Sequence, residues 1–206
     1  IVFGDWSSDV CSSDLQSRTL WRGTFHSIFA RILRSDAEKL GYTSNFTIYD
    51  SADSKNLIKT IVKELQLDDK TYKPGLILGR ISKAKNNLVG PNAYENDYEL
   101  QKMDYQAKIP ETTTIYKTYM ARCKRADAMD FDDLLVNTNL LFRDFPDVLA
   151  KYQRIFKFVL VDEYQDTNYS QYLIIKKIAA LSRNICVVGD DARSEEHTSE
   201  LQSPNT

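Results

Sequence analysis

Apolar residues recur at helical spacing through most of the chain and form short unbroken runs near its carboxyl-terminal end. The helical spacing predicts helices that start near Thr24, Asp50-Ser51, Lys73-Pro74, Thr112 and Asp130. Near the end, the runs Phe156–Val161 and Ile185–Gly189 predict strands on either side of a helix over Ser170–Leu181. A strand, a helix and a second strand in close succession form a βαβ unit, so the two strands should be parallel.

The order of these elements predicts an α/β domain interrupted by helices. Residues 16–68 and 129–192 are assigned to the α/β domain, and the mainly helical residues 69–128 to an inserted subdomain. Within that block, residues 86–108 are polar and predict loop with short helical pieces. An independent helical domain is the alternative, and sequence alone does not choose between them.

The two ends of the chain show neither periodicity nor turn signals. Residues 5–15 and 193–204 match translations of the two strands of a common DNA-sequencing adapter. Residues 1–15 and 193–206 are therefore predicted to be adapter-derived and are left out of the fold argument.

Setting those ends aside changes the composition. The whole chain carries 27 basic and 29 acidic residues, and the ends hold more acids than bases, so the remainder is slightly basic. That excess is compatible with DNA without arguing for it. Cys123 and Cys186 give no disulfide framework, which predicts a reducing, cytoplasmic setting. No apolar run approaches the ~20 residues of a membrane span, so no membrane partner is expected, and the oligomeric state is not predicted.

The most informative stretch is the apolar run that ends at Val161 and is followed at once by Asp162 and Glu163. This pattern is typical of a buried parallel strand that delivers carboxylates to the ligand-binding edge of a sheet. The first acid could hold Mg²⁺, and the second could orient or deprotonate a water molecule. A strand end with solvated charges is the alternative.

Four motifs extend this interpretation: GTFHS at Gly23–Ser27, MDFDDLL at Met129–Leu135, DEYQDT at Asp162–Thr167 and VVGDDA at Val187–Ala192. In this order they resemble motifs of the UvrD/Rep-type superfamily-1 DNA helicases. The resemblance implies an α/β fold, namely a partial P-loop NTPase (RecA-like) domain with parallel strands and a mainly helical inserted subdomain. It also implies an ATP-dependent 3′-5′ DNA helicase or translocase as the parent protein.

The resemblance assigns roles to residues of these motifs. Asp162 would coordinate Mg²⁺, Glu163 would be the catalytic base, and Gln165 and Asp190 would lie at the ATP site. The sites implied for single-stranded DNA are Thr24, Phe25 and His26. From the residues alone, Thr24 could merely cap a helix, Phe25 could be core, and Gln165 and Asp166 could cap the following helix. Asp130 and Asp133 are expected to cap a helix rather than to act in catalysis.

No G-x-x-x-x-G-K-[S/T] phosphate-binding loop occurs in the sequence. The loop is expected upstream of Gln16, and the second motor domain of the family is not found in the sequence either. The chain as written is therefore predicted to show no ATPase activity, whereas its parent would use ATP and Mg²⁺ and act on single-stranded and duplex DNA.

Two further functions fit parts of the sequence. One is a metal-dependent nuclease, whose acids would be Asp162, Glu163, Asp166, Asp190 and Asp191. The other is a non-catalytic DNA-binding module in the helical block, whose phosphate contacts would be Arg80, Lys83, Lys85, Arg122, Lys124 and Arg125.

Overall fold

The computed structural model describes residues 1–4 and 20–190. The strands are β1 (Val2–Phe3), β2 (Arg22–Gly23), β3 (Thr47–Tyr49), β4 (Ala128–Asp130), β5 (Val159–Val161) and β6 (Ile185–Val187). The helices are α1 (Phe25–Asp36), α2 (Ser51–Glu64), α3 (Pro74–Asn86), α4 (Pro91–Asn96), α5 (Tyr98–Gln106), α6 (Thr112–Arg125), α7 (Phe131–Asp144), α8 (Pro146–Ile155) and α9 (Tyr169–Ala179). The predicted α/β class with parallel strands is confirmed.

A parallel sheet in the order β2-β1-β5-β6 carries the acid pair. The apolar β5 lies inside this sheet, where it pairs with β6 from Val159↔Ile185 to Val161↔Val187. Because every pairing in this sheet is parallel, the carboxyl ends of β2, β5 and β6 meet at one edge. The segments that follow these strands are therefore brought together.

The strand β1 belongs to the segment that the sequence assigns to the adapter. Val2 pairs with Arg22 on one side and with Leu160 on the other, and Phe3 is fully buried. A short apolar segment supplies the backbone partners that an open strand edge lacks, whatever its origin. The adapter origin of residues 1–15 thus stays a prediction; residues 5–19 and 191–206, with most of the predicted adapter ends, lie outside the described residues.

A second, smaller sheet consists of β3 and β4, which are parallel and in register from Thr47↔Ala128 to Tyr49↔Asp130. Each strand leads directly into a helix whose start is closed by two aspartates. Asp50 and Asp53 form a capping box on α2, and Asp130 and Asp133 form one on α7. The predicted capping role of Asp130 and Asp133 is confirmed.

Two hydrophobic cores lie on either side of this small sheet. One packs α1, α7, α8 and α9 against the larger sheet, and the other packs α2, α3, α4 and α6 together. The second core begins with Ile58, Ile61 and Val62 on α2, so the packing starts before the predicted boundary at residue 69. Each fully buried aliphatic side chain contributes about 1.5–3 kcal/mol, which is why α2 joins the helices that cover its apolar stripe.

A buried ion cluster joins the two cores. Lys85 of α3 is 1% exposed, and its ammonium lies 2.7 Å from Asp130 Oδ2 and 2.8 Å from Asp133 Oδ1. Tyr119 of α6 donates to the same Asp130 oxygen, at 2.8 Å. Burial disfavours the ammonium, but Asp133 and Asp130 outweigh that penalty and raise the pKa of Lys85. The cluster holds α3 and α6 against the start of α7.

Most of the predicted elements are confirmed, with shifts at their ends. The helix at Thr112–Arg125 has the predicted bounds, and Pro74 occupies the first turn of α3. The strand predicted over Phe156–Val161 is observed only at Val159–Val161. It starts later because Phe156 still closes the end of α8. None of the helices in residues 1–4 and 20–190 is long and apolar enough to cross a membrane.

Candidate functional site

The acid loop, Asp162–Thr167, starts where β5 ends. The backbone N–H of Asp162 still donates to Phe3 O of the neighbouring strand, at 2.9 Å. Glu163 then adopts a left-handed backbone conformation, with φ of 50° and ψ of 45°, and its N–H donates to Asp162 Oδ1 at 3.0 Å. Such a conformation is costly for a residue with a side chain and is concentrated at functional sites. It turns the chain sharply, so that the two acids follow a buried strand but reach solvent.

Gln165 connects the acid loop with the end of β6. Its amide nitrogen donates to Glu163 Oε2, and its amide oxygen accepts from the backbone N–H of Asp190 at 3.1 Å. Two backbone bonds support the bridge, from Val188 N to Val161 O and from Tyr164 N to Val188 O. Gln165 and Asp190, which sequence reasoning assigned to one site, are thus brought into contact.

Gly189 lets the backbone approach the Gln165 side chain of this bridge closely, and a side chain at residue 189 would displace the Gln165 amide. A Cβ atom there would lie 2.7 Å from Gln165 Oε1. The close approach of the backbone to Gln165 therefore depends on the absence of a side chain at residue 189.

The α1 rim, Thr24–His26, lies on the side of the acid pair that faces away from Gln165 and β6. Thr24 caps α1 by accepting from Ser27 N at 3.3 Å. The Phe25 ring stacks on Phe3 with centroids 4.5 Å apart and is half-buried against the first core. Both the capping role of Thr24 and the core role of Phe25 are therefore observed, and neither excludes contact with a ligand.

His26 is the half-buried imidazole of this rim. Its ring meets the edge of Phe131 at 5.5 Å between centroids. Burial lowers the pKa of His26, although Asp132 acts in the opposite direction. Around neutral pH the imidazole is therefore mainly uncharged, which suits it for stacking and for a neutral hydrogen bond.

The acid loop and the α1 rim enclose one cleft of about 230 Å³. Its lining consists of Gly4, Thr24, Phe25, His26, Asp162, Glu163, Asp166 and Gln171. Gln165 and Asp190 are not in the lining; they lie behind Glu163. A larger hollow of about 350 Å³, lined by residues such as Ile1, Phe158 and Ile185, has no carboxylate, imidazole or lysine in its wall. Of these two hollows, the smaller cleft is the one that carries carboxylates and an imidazole.

The donor set of the cleft suits a weakly chelated Mg²⁺. This ion usually keeps several water ligands and takes one or two carboxylates together with phosphate oxygens, which Asp162 and its neighbours could supply. Within residues 1–4 and 20–190, no three His, Cys, Asp or Glu side chains lie close enough to hold a metal ion together. Asp162, Glu163, Asp166 and Asp190 therefore do not form the acid cluster of the nuclease alternative, and Asp191 lies outside the described residues.

The basic residues of the DNA-binding-module alternative are mostly engaged within the protein. Lys85 is buried in the ion cluster, so its assignment as a phosphate contact is wrong. It stays inside because its ammonium neutralises the two buried carboxylates of Asp130 and Asp133. Arg122 pairs with Glu64, and Lys124 donates to the carbonyls of Leu40 and Gly41 at 2.6 and 2.7 Å. Charge reversal at Arg122 or Lys124 would therefore disturb packing as well as any DNA contact.

Sequence reasoning missed Gln171, which lines the cleft. Gln171 forms a capping box with Asn168 at the start of α9, with bonds of 2.9 and 3.0 Å. The pattern Asn-x-x-Gln ahead of an apolar run was the available signal.

The sequence of this chain is similar to those of known DNA helicases. Residues 9–194 match the family model described as the UvrD/REP helicase N-terminal domain. The ATP-dependent DNA helicase PcrA of Staphylococcus aureus is 41% identical over 179 residues, which cover 87% of this chain and 24% of that protein. The protein of the same name from Staphylococcus epidermidis is 40% identical over the same length. The chain thus spans about a quarter of the length of these relatives, and it belongs to the UvrD/REP helicase N-terminal domain family.

Proposed function

We propose that the chain is the acid-bearing part of an ATP-hydrolysing motor domain, within an ATP-dependent 3′-5′ DNA helicase or translocase. The observation that carries the proposal is the cleft, in which the half-buried Asp162 and the exposed Glu163 at a strand end face Phe25 and His26 at a helix start. The relatives named as ATP-dependent DNA helicases support it. The proposed partners are single-stranded and duplex DNA, and the proposed cellular setting is the cytoplasm.

The residues divide into two groups by role. Asp162 would hold Mg²⁺, which would supply Lewis-acid stabilisation of negative charge on the phosphate oxygens of ATP. Glu163, which lines the cleft, orients and deprotonates the attacking water. Gln165, which accepts from the backbone N–H of Asp190, holds Glu163 from behind, and both Gln165 and Asp190 lie next to the nucleotide. Thr24, Phe25 and His26 contact single-stranded DNA by hydrogen bonding and stacking.

The first test concerns hydrolysis. In the longer protein that we infer, Glu163→Gln should lower DNA-stimulated ATP turnover by about 10²–10⁴, the usual contribution of a general base, and leave DNA binding intact. Glu38→Gln, at an exposed glutamate outside the cleft, is the matched control. The chain as written lacks the phosphate-binding motif and should not turn over ATP. Turnover by this chain that disappears in Glu163→Gln would refute that part of the proposal.

The second test concerns DNA. A fluorescent oligodeoxythymidylate should bind the chain at low salt, and His26→Ala should weaken that binding several-fold through loss of a stacking contact. The chain has two histidines, so His197→Ala is the matched control. Equal weakening by both substitutions would argue against the α1 rim as a DNA contact.

A further inference from the structure

Asn86, at the end of α3, contacts two segments that are distant from it in sequence. Its amide nitrogen donates to Asp132 Oδ1 at 3.1 Å, and its amide oxygen accepts from Asn168 Nδ2 at 2.8 Å. All three side chains are half-buried. One side chain of the helical insertion therefore uses its donor and its acceptor to hold two parts of the α/β region.

Each of these two parts leads to one side of the cleft. Asn168 directly follows the acid loop and caps α9 together with Gln171, which lines the cleft. Asp132 lies in the first turn of α7 beside Phe131, whose ring contacts His26. The path from one side to the other consists of hydrogen bonds from Gln171 to Asp132, the peptide link to Phe131 and the ring contact with His26, and Asn86 is its centre.

The two hydrogen bonds of Asn86 are not needed to cap α7 or α9. The box between Asn168 and Gln171 satisfies the start of α9 by itself, and the α7 start is closed by Asp130 and Asp133. The neighbouring Asn87 shows what an unlinked asparagine does at this helix end: its side chain donates back to Lys83 O within α3, at 2.8 Å. Asn86 also donates within α3, to Ser82 Oγ at 3.4 Å, but in addition its amide binds the two flanking segments.

We propose that Asn86 is a positioning residue that ties the helical insertion to both the acid loop and the α1 rim, so that a displacement at one side of the cleft is transmitted to the other. Its use in a motor rests on the proposed function. The mechanical link itself requires neither nucleotide nor DNA and can be tested without them, so its failure would be distinguishable from a failure of the proposed function.

The experiment follows the imidazole of His26 by NMR in the full chain, with His26→Ala to assign its signals. Asn168→Ala should shift these signals, because the perturbation passes through Asn86, Asp132 and Phe131. In a background that carries Asn86→Ala, the same Asn168→Ala change should lose most of its effect. In the background of the matched control, Asn87→Ala, the effect should persist.

A paired exchange protects the test against loss of folding. Asn86→Asp alone places two carboxylates together and should abolish the transmitted shift. Combined with Asp132→Asn it exchanges donor and acceptor, leaves an oxygen for Asn168, and should restore the response of His26 to Asn168→Ala. The proposal is overturned if Asn168→Ala leaves His26 unchanged in the starting chain, if Asn86→Ala does not reduce the effect, or if the paired exchange folds without restoring it.

Discussion

Two strand ends in this protein carry acids, and they differ in what surrounds those acids. At the end of β4, Asp130 and Asp133 are almost completely buried and meet Lys85. At the end of β5, Asp162 is half-buried and Glu163 is exposed, and both line a cleft. The same local pattern, acids after an apolar strand, therefore gives a structural joint in one place and a candidate reaction site in the other.

The backbone reflects the same difference. After β4 the chain enters α7 at once, and the aspartate side chains accept the free N–H groups of the first turn. After β5 the chain passes through the left-handed Glu163 before α9 begins. Glu163 accepts a bond from Gln165, but no lysine or arginine is paired with Asp162 or Glu163 among the ion pairs of the described residues. The acids that are paired with a lysine stabilise the fold, whereas the acids without a cationic partner are available to a ligand.

The largest expected effect is at the buried cluster. Lys85→Met should lower the free energy of unfolding by about 3–5 kcal/mol, because it leaves two buried carboxylates without their cation. Denaturant unfolding measures the change. Lys83→Met, at an exposed lysine of the same helix, should have little effect. A similar small loss for both variants would mean that the joint at β4 is no different from a surface ion pair.

Alkaline pH should weaken the joint at β4. The raised pKa of Lys85 means that its contribution is fully present below the ordinary value of 10.5 and is lost as the pH rises through the folded-state value. Burial raises the pKa of Tyr119, so this hydroxyl ionises near pH 10.0 in the unfolded chain but stays neutral when folded. Both effects lower the free energy of unfolding above about pH 10, by roughly 1.4 kcal/mol per pH unit for each group.

Tyr119→Phe should flatten this pH dependence in denaturation experiments. Tyr105→Phe should not, because the side chain of Tyr105 is 76% exposed. A free energy of unfolding that stays constant between pH 9 and 11, as rough limits of the alkaline range, would contradict the assignment.

A smaller effect is expected behind the acid loop. Gly189→Ala should displace the Gln165 amide and cost about 1 kcal/mol, the worth of the hydrogen bond from Asp190 N. Gly79→Ala, where a Cβ meets nothing within 4 Å, should instead stabilise α3 by up to about 1 kcal/mol. Thermal unfolding should show a lower melting temperature for Gly189→Ala and a higher one for Gly79→Ala. If both variants change the melting temperature in the same direction, Gly189 does not serve the acid loop.

The smallest effect is expected at the acid pair itself. Asp162→Asn keeps an acceptor for Glu163 N–H, and Glu163→Gln removes no buried charge. Each should change the free energy of unfolding by less than about 0.5 kcal/mol. A loss as large as that of Lys85→Met would show that the two strand ends do not differ in the way described here.

The sequence predicts the parts whose signal is local. The apolar run before Asp162 and the motif order indicated β5, its acids and the family. The short strands β3 and β4 were missed, since Thr47–Tyr49 and Ala128–Asp130 are too short to show alternation. The helix α8 was missed as well, although Pro146 at its first turn was a usable signal.

Contacts between distant segments could not be predicted in this way. The sequence offers Lys85 only as a phosphate contact. A lysine is rarely buried without a partner, and the partners of Lys85, Asp130 and Asp133, are distant from it in sequence. The contact between Asn86 and Asn168 joins residues 82 positions apart, so no local pattern indicates it. The cleft was anticipated through the family's motif order rather than through spacing.

The parallel pairing of β3 with β4 has a consequence for how this domain tolerates change. Thr47 lies beside Ala128 and Tyr49 beside Asp130, so the long stretch that leaves β3 after Tyr49 re-enters the fold at Ala128, one three-residue strand length away. The entropy of closing such a stretch grows slowly, by about 0.6 kcal/mol for each doubling of its length. Insertions and deletions on the outer surface of the helical block should therefore change the free energy of unfolding little, provided that the contacts of Lys85 and Asn86 are retained.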